Sequence, residues 1–519
     1  MRTPVSRRRD SQAGASYTAG LAFGVASFAS IGIVTLGTSV LSARLYGITA
    51  VGQFALVLVP ITAVTLLSTV REQPAMVREL AGLPPRDIRV TGVFYAVCSF
   101  SFALTLVVTG LGVIACYFAF HGPLHNPRLF APAAYGLLGY LIVINSAWNL
   151  DGLFGVFRAG RELFAVRLHQ ALANGLLLVA LLPLGRNVWG ILIAYLGSWL
   201  SALVHRLWLA RRFIRWRVAA ADIRAGFAAL GEIVRFGLKL TPGWIAWGLS
   251  DACGTWILGA VSSVRTVGAY SRSWSVASKL SDLNWRITEM LLPTLVQRRA
   301  TGDETGFTRA LVDSLRYSSF GLLLPAAVGA GAAPSVMALF GPGFGAASDA
   351  LRLLLLVPFL QALTAIQGVA LIACNRPVMT ALLQGVRLVV TVAAGVTLTG
   401  PLGMSGMAIA MVAGVAAGFM ACSAMLRFAL GIPIRTMWSF REIAGLLSAY
   451  GSGFAASQLV VDRISGVAGL LVAGVAGSLV YVLVGVLVAG LSDRDRVRLK
   501  GVLARSNARL SAAEGLSSS

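Results

Sequence analysis

VGAYSRSWSVASKLSDLNWRITEMLLPTL, residues 267–295, lies among segments apolar enough to cross a bilayer, yet it carries Arg272, Lys279, Asp282, Arg286 and Glu289. At 100° per residue its three cations, spaced seven apart, fall within about 40° of one another. One face of the expected helix is thus a ladder of positive charge roughly 20 Å tall. An ionised side chain at the bilayer centre costs about 2.5–3.5 kcal/mol, so these groups cannot face lipid. They must meet water, a ligand or one another. Lys279 and Asp282, Asp282 and Arg286, and Arg286 and Glu289 have pairing distance along a helix, whereas Arg272 has no carboxylate nearby in sequence. The alternative is an amphipathic helix resting on the membrane surface, and the charge distribution of the whole chain tests it.

With 519 residues, 57% of them hydrophobic and 12% charged, the chain is too apolar for a soluble multidomain enzyme. The expected fold is an all-α polytopic membrane protein. A net charge of +23 would suggest nucleic acid in a soluble protein, but no contiguous basic module is present, and no nucleic acid partner is expected. The five cysteines, Cys98, Cys116, Cys253, Cys374 and Cys422, sit in or beside apolar runs without paired spacing, as small packing residues do. His121, His125, His169 and His205 are scattered, and no catalytic, metal or phosphate-loop motif occurs. An enzyme, a metal site and a cofactor are therefore not expected.

Spanning-length runs lie at 19–45, 52–70, 91–119, 131–150, 169–185 and 188–209, then at 238–260, 267–295, 317–337, 350–373, 379–399 and 404–426, and finally at 442–461 and 466–491. About fourteen spans with both termini cytoplasmic would place about three quarters of the 43 Lys and Arg on the cytoplasmic side. If 267–295 did not cross, every later loop would change sides and the bias would fail over the C-terminal half. The charged stretch is accordingly read as the eighth span.

Val51-Gly52-Gln53-Phe54 after the first span is answered by Val267-Gly268-Ala269-Tyr270 after the seventh; Arg161 is answered by Arg376, and Pro183-Leu184-Gly185 by Pro401-Leu402-Gly403. Matches in order at nearly one offset indicate two six-helix lobes. An even number of helices per repeat puts the pseudo-twofold axis along the membrane normal, with a cavity between the lobes. The expected division is an N-terminal lobe over 1–209, a basic amphipathic cytoplasmic linker over 210–237, a C-terminal lobe over 238–430, two further helices within 431–491 and a basic cytoplasmic tail over 492–519.

Arg272, Lys279 and Arg286 are candidates for binding an anionic substrate in that cavity, and Arg387 in the eleventh span either adds to its positive field or reaches an interface. Asp251 in the seventh span is a candidate for ion coupling, with a structural salt bridge as the alternative. Arg44 and Arg71 end the first and second spans, at a cavity mouth or as interfacial anchors. Asn149 and Asp151 are given only a helix-end role. Trp274 and Trp285 suit sugar stacking or packing against neighbouring helices.

Arg44-Leu45-Tyr46-Gly47 with Val51-Gly52-Gln53-Phe54, the Pro242 to Asp251 segment, Val267 to Pro293, Leu339-Phe340-Gly341 before Phe344, and Pro401 to Gly406 together resemble the polysaccharide (O-antigen or exopolysaccharide) flippases of the multidrug/oligosaccharidyl-lipid/polysaccharide exporter superfamily. The resemblance covers roughly residues 15 to 430. It implies alternating access by two lobes in the bacterial cytoplasmic membrane. The implied cargo is an undecaprenyl-diphosphate-linked oligosaccharide, moved between leaflets for lipopolysaccharide or exopolysaccharide synthesis beside a glycan polymerase or glycosyltransferases. A lipid II flippase and a cation-coupled multidrug exporter are the competing transport readings, and an assembly scaffold the non-transport one.

Overall fold

The computed structural model describes residues 4–489 apart from 81, 218 and 375, and side chains throughout these except at 4–29, 221, 282–287, 289, 290, 377, 434 and 489. The described residues form helices and turns, with no strand among them. Among the described residues, nine segments are long and apolar enough to cross a membrane. Two of these are each a pair of helices meeting at a glycine, Gly47 (φ 81°, ψ 168°) and Gly403 (φ 57°, ψ −132°), where an L side chain would be strained. Ala220–Val261, Val264–Ser278 with Ser281–Ala300, and Glu304–Gly331 are further long helices whose charges lower their hydropathy. Val107, Leu111, Ile114 and Phe118 form an exposed apolar stripe along Ile88–His121, as acyl chains require of a multi-pass membrane protein.

The internal repeat has a physical meaning at Gly52 and Gly268. A Cβ added to Gly52 would lie 1.9 Å from the Val264 carbonyl oxygen, and one added to Gly268 would lie 2.3 Å from that of Ile48. The partners of the two glycines stand at the same repeat offset as the glycines themselves. This contact is self-complementary, as a twofold axis demands. Only residues without a side chain let the two backbones approach so closely. Gly185 and Gly403, in the matching turns of the two halves, both have positive φ.

Burial shows how the halves are joined. One apolar cluster draws on both, including Val51, Leu56 and Tyr140 from the first and Tyr270, Phe344 and Met411 from the second. Beyond it the cores separate. Met76, Phe94, Leu153 and Leu203 pack in one cluster, while Leu295, Leu311, Leu371 and Leu426 pack in another. The lobes therefore share a core at one end and have separate cores toward the other, leaving room between them.

The expected boundary at 237/238 falls inside the continuous helix Ala220–Val261. Ile233 belongs to the first lobe's separate core, with Ala229, Leu230 and Phe236 against it. Residues 229–236 thus pack as part of the N-terminal lobe, because their apolar face finds that core rather than a lipid surface. Phe440–Arg463 and Gly466–Ala489 dock on the outside of Glu304–Gly331, where Tyr481 Oη donates to the Phe320 carbonyl at 2.9 Å and Arg316 pairs with Glu442.

The charged stretch expected as the eighth span is not one straight rod. It breaks between Val264–Ser278 and Ser281–Ala300. Lys279 N–H bonds the Val276 carbonyl and Leu280 N–H that of Ala277, both three residues back, while the Ser278 hydroxyl takes the Ser275 carbonyl. Serine competition for backbone acceptors accounts for this tightened turn.

Candidate functional site

A cavity of about 320 Å³ is lined chiefly by the second lobe. Trp244 and Trp247, one helical turn apart after Pro242, stack with ring centroids 4.9 Å apart on its wall. From the first lobe comes Arg71, whose guanidinium carbon stands 4.0 Å above the Trp244 ring. Arg71 has φ 57°, a costly conformation for a branched-free but bulky residue, and its surroundings maintain it. Buried Glu72 accepts from Thr69 Oγ1 and the Val70 N–H at 2.9 Å each, and from Ser101 Oγ at 3.3 Å. The Arg71 N–H donates to Thr69 Oγ1 at 3.0 Å. A folded knot of hydrogen bonds therefore holds the residue that reaches across to the second lobe.

Asp251 and Arg387, separate candidates in sequence, are brought together. Arg387 Nη2 donates to Asp251 Oδ1, and Arg387 is buried. With its amide nitrogen toward Ser281 Oγ at 3.1 Å, Gln361 accepts from Arg387 Nη2 at 2.8 Å. Arg387 Nε and Gln384 Oε1 are buried without a hydrogen-bond partner among the described residues, and both residues line the cavity. A donor and an acceptor are thus left there for something else to satisfy.

The remaining candidates lie elsewhere. Arg272 is half-buried between the lobes, its Nη1 donating to Ser39 Oγ at 2.6 Å, and its Nε has no partner among the described residues. Lys279 sits half-buried at the turn. The side chain of Arg286 lies outside the described residues, as does that of Trp285. Arg44 is at the joined end, where its Nε donates to the Leu339 carbonyl at 2.6 Å. Arg71 lines this cavity, while Arg44 lines a separate one of about 690 Å³ with Gly47 from the first half and Phe340 and Phe344 from the second. Asp151 does more than end a helix, since it pairs with Arg206 at 2.7 Å. Trp244 and Trp247 were not singled out from the sequence, although their spacing of three beside a proline places two indoles on one helix face.

A two-lobed helical bundle with an internal pseudo-twofold axis recurs in solved structures. The lipid II flippase MurJ, in an inward closed conformation, is similar over 90% of this chain and 98% of its own, with a TM-score of 0.67 and 13% identity. Multidrug resistance MATE family transporters of the MOP superfamily are similar in an inward-facing conformation (78% of this chain, 94% of that one, TM-score 0.59, 18% identity) and in an outward-facing one (78%, 95%, 0.56 and 18%). The chain thus has the fold of the multidrug/oligosaccharidyl-lipid/polysaccharide exporter superfamily, as its resemblance implied. Within it, residues 160–345 match the family described as polysaccharide biosynthesis protein. No curated protein sequence matches.

Proposed function

We propose that this protein is a lipid-linked oligosaccharide flippase of the bacterial cytoplasmic membrane, moving an undecaprenyl-diphosphate-linked glycan between leaflets by alternating access, with both termini cytoplasmic. The observation that carries the reading is Arg71, held in a strained backbone by one lobe and placed over Trp244 of the other inside the cavity. A guanidinium replaces the hydration of a diphosphate with charge-assisted hydrogen bonds, each worth about 1.5–3 kcal/mol. The neighbouring indoles offer flat apolar faces to sugar rings. At 320 Å³ the cavity lies at the low end of ligand sites, which run from about 300 to 1,000 Å³, so it suits part of a head group. The lipid tail stays in the bilayer while the head group passes from Arg71 toward Arg272, which bridges the lobes nearer their joined end.

Lipid II transport is the second reading, favoured by the likeness to MurJ over 90% of the chain. A multidrug exporter for organic cations would need an exposed carboxylate, and Asp251 is occupied by Arg387. Glycosyltransferases and a glycan polymerase are the partners this function requires, to supply the cargo and consume it.

The test is flipping in vesicles that carry the purified full chain. Fluorescent undecaprenyl-diphosphate oligosaccharide and fluorescent lipid II are supplied in parallel, and a membrane-impermeant quencher reports the leaflet. Faster movement of the oligosaccharide, lost in Arg71→Ala, is expected. Faster movement of lipid II transfers the assignment to the second reading, and movement of neither refutes a flippase.

A further inference from the structure

A second pocket, of about 370 Å³, lies inside the first lobe. Ile31, Trp148, Ala171 and Trp199 line it, and the residues 216 positions later, Trp247, Thr364, Arg387 and Val415, line the cavity of the second lobe. The two spaces are thus related by the same pseudo-twofold operation that joins Gly52 to Gly268. Their chemistry also runs parallel. Where the second lobe has Asp251 with Arg387, the first has Asp151 with Arg206, drawn from different helices and different repeat positions.

Arg206 is 1% exposed. Its Nε donates to Asp151 Oδ1 at 2.7 Å and its Nη2 lies 3.4 Å from Oδ2, while its Nη1 is buried with no partner among the described residues. A buried guanidinium N–H left over on the wall of a pocket implies a missing acceptor. Asp151, 20% exposed, offers acceptor capacity beside it. A hydroxyl group, abundant on a sugar ring, can accept from Arg206 and donate to Asp151 at the same time. Gln170 and Asn174, one helical turn apart on Gly160–Ala180, add amides, and Trp148 and Trp199 add indole surface. Arg167 stands exposed at the same pocket. A phosphate would meet the Asp151 carboxylate alongside its cation, whereas a neutral sugar matches paired donors and acceptors between aromatic faces.

We propose that this pocket binds a neutral hexose ring, as a second station for the glycan whose diphosphate is held at the Arg71 cavity. The proposal rests on the flippase reading for the identity of the cargo, but its test does not. The full chain in lipid nanodiscs is examined by saturation-transfer NMR with free galactose, rhamnose and N-acetylglucosamine, and separately by pyrophosphate binding. At least one of the sugars is expected to receive saturation, with affinity falling about ten-fold in Trp148→Ala and in Gln170→Ala, while pyrophosphate binding is unchanged in both. Arg71→Ala should do the reverse. Arg206→Lys, which keeps the charge and loses the fork, is expected to weaken the sugar signal. Absence of saturation for all three sugars, an equal signal in Trp148→Ala, or pyrophosphate binding that depends on Arg206 would overturn the proposal. If pyrophosphate still binds at Arg71 while the sugars fail, the flippase reading stands without the second station; if pyrophosphate and lipid-linked glycan both fail, that reading is lost.

Discussion

Gly268→Ala is a single-methyl perturbation aimed at the axis. The new Cβ would sit 2.3 Å from the Ile48 carbonyl oxygen, 3.0 Å from the Gly52 nitrogen and 3.2 Å from its Cα. Ordinary contact begins near 3.4 Å, so the two backbones must part by about 1 Å. Overpacking of this kind costs about 1–3 kcal/mol, and here only the state with the lobes joined at this end bears it. The equilibrium between joined and parted states should then move by about 5- to 150-fold toward the parted one. Spin labels at Arg186 of the first lobe and Asp349 of the second, both exposed, report the separation in a cysteine-free background. A longer-distance population is expected in Gly268→Ala and, by symmetry, in Gly52→Ala, together with slower flipping. Gly321→Ala is the control, since a Cβ there meets nothing within 4 Å. Folded Gly268→Ala and Gly52→Ala proteins whose distance distributions and flipping rates match that control would refute the axial contact as a joint that must open.

Arg71→Ala should cut flipping about ten-fold or more, and Arg71→Lys should recover little of it, because an ammonium neither forks a diphosphate nor stacks on Trp244 in the same way; a wild-type rate in Arg71→Ala, read in vesicles, removes the cavity from the mechanism. Asp251→Asn strands the buried Arg387 guanidinium, so thermal unfolding should show a loss of about 3–5 kcal/mol, with Asp251→Asn/Arg387→Gln regaining most of it. Flipping that keeps its dependence on an ion gradient in that double variant would exclude Asp251 as the coupling group. The triple variant Arg272→Ala, Lys279→Ala and Arg286→Ala should express stably yet lose surface glycan, and normal glycan export would end the role given to the charged span.

Several levels of this protein were legible in the residue order. Spanning helices follow from apolar length, whereas the single face expected of Arg272, Lys279 and Arg286 falls across the break after Ser278. The Val-Gly pairs at 51–52 and 267–268 also betrayed the repeat. Other features were out of reach of such patterns. The continuity of residues 220–237 with the seventh span was hidden because a basic amphipathic face reads alike on a leaflet and on a protein core. The break after Ser278 depends on which carbonyls the serine hydroxyls take, and propensity does not rank those choices.

Composition, helical period and the repeat offset determined a two-lobed helical membrane protein and put cations inside it, because each is a property of neighbouring residues or of a copied segment. Only the tertiary structure decided that Arg387 answers Asp251 across 136 positions, that Arg71 lies over Trp244, and that Arg206 has an N–H to spare. Those pairings depend on how each helix is rotated about its own axis and how far the lobes close. Both are set by packing over the whole bundle, where a rotation of one residue, about 100°, carries a guanidinium from a partner to an empty wall.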